Sequence, residues 1–163
     1  MMNPNIRIAI ITLIAAFMLA MMPLPDWAQA FRPDWVTLTL IYWTMALPAS
    51  IGVTIAWFIG LMLDVSHGAL LGQHALGLVL VIYFIQLQHQ RLRVASLVQQ
   101  AIVIFILILI KQALVLWVSG IMGHAPDSWL YFMPSITSAL FWPWVYIILR
   151  DVRRKFAYKS SHF

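Results

Sequence analysis

The chain has 163 residues, is 63% hydrophobic and only 9% charged, and has a mean hydropathy of +0.91. Water-soluble domains are nearer 45–50% apolar and about 25% charged, so a membrane bundle is expected. The net charge of +5 comes with no Cys and no Glu. This excludes disulfides, thiol chemistry and cysteine metal sites, leaves five Asp for any carboxylate chemistry, and gives no indication of a nucleic acid partner.

The first expected span runs from about 6 to 24 and stops at Pro23 and Pro25, which cannot continue a helix. Ala28-Gln29-Ala30 resembles a signal-peptide cleavage site. The apolar stretch before it is long, and Asp26 and Trp27 crowd the site, so an uncleaved helix is expected. Residues 33–66 are too long for one span and are interrupted by Pro48. The residue before a proline avoids the helical region, which predicts a break near Leu47 and two short helices, about 33–47 and 51–66. Pro33 suits a first helical turn, where its missing N–H costs nothing. Three further spans are expected at 68–87, 97–119 and 129–149, with Pro143 kinking the last. Residues 150–163 form a basic tail.

Positive residues favour the cytoplasmic side. Arg91, Arg93 and the basic tail place both segments there. Five spans and six spans satisfy the charges equally. The half-length helices around Pro48 favour six, with both termini cytoplasmic. The chain is therefore expected to be a single membrane domain, 1–163.

Few residues offer chemistry. Lys111, fifteen residues into the fifth span, must face the bundle or a wet cavity, unless its long stem lets the ammonium snorkel to an interface. The snorkelling reading is the preferred one. In GLMLDVSHGALLG, Asp64 and His67 share a helical face at i, i+3, and His74 could approach His67. Two ligands are too few for an ordinary metal site. Gly60, Gly68 and Gly72 instead suggest close helix approach, with Asp64 capping backbone at the turn. No nucleophile elbow, phosphate loop or dinucleotide fingerprint is present, so no enzyme activity and no cofactor are expected. Arg150, Arg153 and Arg154 share a helical face suited to anionic headgroups. In FRPDW, Pro33 and Asp34 suit a helix start at the outer interface, Trp35 an aromatic belt, and Arg32 a pairing with Asp34 or Asp26. Alanine at Arg32 or Asp34 is expected to weaken assembly more than fold.

Taken together, FRPDWVTLTLIYWTMALP, GLMLDVSHGALLG and FWPW occur in an order and spacing that resembles the bacterial rod shape-determining MreD family. The matching positions are Arg32, Pro33, Asp34 and Trp35; Gly60, Asp64, Gly68 and Gly72; and Trp142, Pro143 and Trp144. The resemblance implies a non-enzymatic membrane scaffold of the cell-elongation complex. Its implied partners are MreC and, less directly, the actin-like MreB filament, the RodA glycosyltransferase and the elongation transpeptidase, which build lateral-wall peptidoglycan. It also implies a fold similar to the six-helix substrate-binding subunits of vitamin transporters. The six-helix count, the half-length helices and Lys111 support an alternative function, a small-molecule-binding subunit of such a transporter. A third reading, an intramembrane enzyme acting on lipid-linked precursors, rests only on Asp64, His67 and His74.

Overall fold

In a computed structural model, which describes residues 3–124 and 126–160, the described chain is all helical. Helix α1 spans Pro4–Met21, with Asn3 as its N-cap and Pro4 in the first turn. Met22 is extended before Pro23, which ends the helix three residues earlier than expected. A four-residue turn of helix, α2 (Asp26–Gln29), covers the stretch that resembled a cleavage site. Helix α3 spans Trp35–Ala46 and α4 spans Val53–His67. The break at Leu47 falls where Pro48 predicts it, since Leu47 leaves the helical region at φ −133°. Pro33 does not begin α3. It precedes the N-cap, Asp34, so the helix starts two residues later than the proline suggested.

The largest boundary correction is in the fourth expected span. Helix α5 runs Gln73–Val94 rather than 68–87. Gly68 and Gly72 both have positive φ, +62° and +100°, a conformation that favours glycine. They make the turn after α4 and postpone α5, which then continues into the polar segment ending at Arg93. Helix α6 spans Leu97–Ile121 and opens with a capping box, in which Ser96 and Gln99 satisfy each other's backbone N–H. A 3₁₀ turn at Trp129–Phe132 leads into α7, Met133–Ser160. The basic tail continues α7 as helix through Ser160, in keeping with the helical spacing of its arginines, and its last three positions lie outside the described residues. The chain stays helical through Pro143, which cannot supply the N–H for Ala139's carbonyl.

Among the described residues, three segments are long and apolar enough to cross a membrane: Pro4–Met21, Leu97–Ile121 and Trp129–Lys159. Helices α3 and α4 are shorter apolar helices. At 1.5 Å per residue they rise about 18 and 22 Å, short of the roughly 30 Å hydrocarbon core.

Helix α3 is the centre of the molecule. Its residues from Val36 to Met45 are all buried, and it packs against α1, α5 and α7. Its apolar residues show no stripe because every side of the helix is covered. Trp43 is fully buried and donates its Nε1–H to Thr12 Oγ1 of α1 at 2.8 Å. Apolar side chains elsewhere face outward, including Ile11, Trp57, Ile106 and Trp117. A bundle with a packed interior and an apolar exterior fits a multi-pass membrane protein.

Candidate functional site

The residues of FRPDW converge at one end of the bundle. Arg32 reaches back to α1 and donates Nη1–H to the carbonyl of Ala20 and Nη2–H to that of Met22. A helix leaves its last carbonyls without partners, and Arg32 supplies them. No acid pairs with Arg32 among the described residues, contrary to the expected pairing with Asp34 or Asp26. Its role is to fasten the end of α1 beside the start of α3.

Asp34 turns its carboxylate into the bundle, leaving the side chain 21% exposed. Its Oδ1 accepts from the Thr37 backbone N–H at 3.3 Å, capping α3. Its Oδ2 pairs with Lys111 Nζ at 2.5 Å, and its own backbone N–H donates to Ser138 Oγ of α7 at 2.9 Å. Lys111 also donates to Thr37 Oγ1 at 2.9 Å. The lysine side chain is only 6% exposed, so it does not snorkel. Gly77 of α5 makes room for it: a Cβ there would lie 2.7 Å from Lys111 Cγ. The ion pair and the Asp34 backbone bond therefore tie α3, α6 and α7 together, with α5 shaped around the lysine. A lysine buried this deeply survives only with such partners.

The second motif makes the α4–α5 turn. Asp64 is fully buried. Its Oδ2 accepts from Gly72 N–H at 2.8 Å, and its Oδ1 from His74 N–H at 2.7 Å and His74 Nδ1–H at 2.8 Å. The carboxylate thus caps the next helix rather than bonding His67, whose Nδ1 donates to Leu63 O at 2.8 Å. The rings of His67 and His74 stack, with centroids 5.3 Å apart. Gly60 lies where α4 and α5 touch, and a methyl group there would overlap the Ala75 backbone. Gly68 and Gly72 supply the positive-φ turn itself.

In the third motif, Trp142 is fully buried and donates its Nε1–H to Gln100 Oε1 at 3.0 Å. Gln100 Nε2 in turn donates to Leu92 O at 2.7 Å, so this tryptophan joins α7 to α6 and the end of α5. Pro143 follows within the helix, and Trp144 points outward, 68% exposed.

Several contacts were not anticipated from the sequence. Arg93 donates Nε–H to Met45 O at 2.5 Å and Nη2–H to Ala46 O at 2.9 Å, fastening the C-terminal end of α3. Gln73 donates to Val115 O and Ser119 Oγ of α6. Thr37 and Ser138 complete the Asp34 site. Their only signal was a polar residue inside an apolar run, which in lipid calls for a partner on another helix. The tail arginines do not present one uniform face: Arg150 lies 3.4 Å from Asp151, Arg153 sits over the Tyr42 ring at 5.8 Å, and Arg154 is exposed.

A cavity of about 510 Å³ opens beside these contacts, lined in part by Arg32, Asp34, His74, Lys111, Gln112 and Tyr131. Two atoms of these lining residues, Arg32 Nε and Gln112 Oε1, are buried without hydrogen-bond partners.

The comparisons with known proteins cover most of the chain. Residues 3–152 match the family described as rod shape-determining protein MreD. The chain is 32% identical over 142 residues to a rod shape-determining protein MreD from Haemophilus influenzae, covering 87% of this chain and 88% of that relative. No solved structure matches. A match over nearly the whole helical bundle, including all three motifs, places the chain in the MreD family of bacterial rod shape-determining membrane proteins.

Proposed function

We propose that this protein acts as a non-enzymatic scaffold of the cell-elongation complex in the bacterial inner membrane, working as one membrane unit with six crossings and cytoplasmic termini. In this reading it holds MreC and, through it, the actin-like MreB filament, the RodA glycosyltransferase and the elongation transpeptidase at sites of lateral peptidoglycan synthesis. The observation that carries the reading is the family match across residues 3–152. The structure adds that its motif residues fasten helices to one another. Arg32, Asp34, Asp64 and Trp142 each join separate helices or adjoining segments. Such a frame suits a protein that presents a fixed lateral surface.

The test is depletion in rod-shaped host cells together with copurification of MreC from membranes. Rounded cells and recovered MreC are expected. Depleted cells that keep their rod shape and their normal pattern of wall insertion would sink the proposal.

The cavity beside Lys111 favours a second reading, a binding site for a small polar ligand, as in a vitamin-type transporter subunit. Its two unpartnered buried atoms offer one donor and one acceptor. A thermal-shift screen against water-soluble vitamins decides it. Ligand at 100 times its dissociation constant stabilises by about 2.7 kcal/mol, and a screen with no shift would dismiss this reading.

A further inference from the structure

At the end of the bundle opposite the cavity, the start of α1 and the end of α7 leave a groove of about 390 Å³ between them. Its walls include Ile8, Ile11, Val152 and Phe156, and two cations, Arg7 and Lys159, also line it. Both basic residues are exposed, and no acidic residue lines the groove. Elsewhere in the described structure, cationic side chains often have an assigned partner: Arg32 and Arg93 hold carbonyls, Lys111 holds Asp34, Arg150 lies by Asp151 and Arg153 covers Tyr42. Arg7 and Lys159 have none of these arrangements.

We infer that this groove is a binding site for one anionic glycerophospholipid. The phosphodiester lies between Arg7 and Lys159, and an acyl chain covers the apolar wall. The combination of an apolar wall with two positive groups matches a molecule that is apolar along its length and anionic at one end. A free phosphate would satisfy the cations and leave Ile11 and Phe156 uncovered, both of them more than half exposed. A zwitterionic lipid would bring its own cation to a site that already has two. The site is separate from the broader attraction of a basic tail to the membrane surface, because it includes a residue of the first helix. It does not depend on the scaffold reading.

The experiment uses the full chain, purified in a neutral detergent and exchanged with defined phosphatidylglycerol or phosphatidylcholine. Bound lipid is counted by native mass spectrometry. Selective retention of phosphatidylglycerol is expected, falling about fivefold for each cation removed in Arg7→Gln and Lys159→Gln. Arg7→Lys with Lys159→Arg restores it, and Arg154→Gln leaves it unchanged. Ile11→Gln, at an exposed position, weakens retention without changing charge. Equal retention of both lipids, an unaltered Arg7→Gln/Lys159→Gln protein, or complete displacement by inorganic phosphate alone would overturn the inference.

Discussion

Lys111→Met is expected to destabilise the folded bundle by about 3–5 kcal/mol, the cost of leaving a buried partner charge unpaired. Asp34 would then keep its carboxylate beside Thr37 with no cation to balance it. Asp34→Asn should cost a similar amount for the opposite reason. The double variant Asp34→Asn/Lys111→Met should recover most of the loss, because neither charge remains. Unfolding by a denaturing detergent, followed by the fluorescence of the eight tryptophans, measures all three proteins. If each single change costs less than about 1 kcal/mol, the range of an exposed pair, the pair does not hold the helices. This prediction reverses the expectation that Asp34 serves assembly rather than fold. Under the proposed scaffold role, an alanine there would disturb MreC capture by loosening the bundle, so capture and stability must be measured together.

Asp64→Ala is the second change with a large expected effect, about 3 kcal/mol. It removes a charged acceptor from three backbone N–H groups and the His74 ring at once. The damage should be local. Hydrogen exchange at Gly72, His74 and Ala75 should speed up, because these amides begin α5 and lose their cap, while amides of α1 stay protected. Unchanged exchange at the α4–α5 turn would show that water or the adjoining carbonyls replace the carboxylate, and the capping role would fall.

The two short helices were legible in the sequence because proline acts locally. Pro48 breaks the chain at Leu47 whatever surrounds it. The start of α5 was less legible. Gly68 and Gly72 stand out in the sequence, but a glycine in an apolar run serves equally as a close-packing residue or as a turn, and only the backbone conformation separates the two. Here Gly60 packs closely against α5, while Gly68 and Gly72 make the turn. The role of Lys111 was the least legible. Its partner lies 77 positions earlier. Whether a lysine in a long apolar helix turns inward or snorkels depends on which helices neighbour it and at what height. Gly77, on a third helix, helps set that height by admitting the lysine stem. The misjudged Arg32 has a similar cause. A lone outer arginine suggests an acidic partner, but the carbonyls at a helix end are acceptors too, and sequence gives no sign of them.

Helix α3 has one more consequence. It rises only about 18 Å, is buried along its length, and is gripped by charges at both ends: Asp34 with Lys111 at one, Arg93 at the other. Polar hollows reach both ends, the cavity beside Lys111 and a smaller one of about 340 Å³ near Tyr42, Arg93 and Arg153. Were α3 to cross a membrane with both hollows filled by water, the insulating layer would be thinner along it than in the surrounding roughly 30 Å core. The transmembrane voltage falls most steeply across the thinnest insulator. It would be concentrated on these twelve residues, with fixed charges waiting at each end.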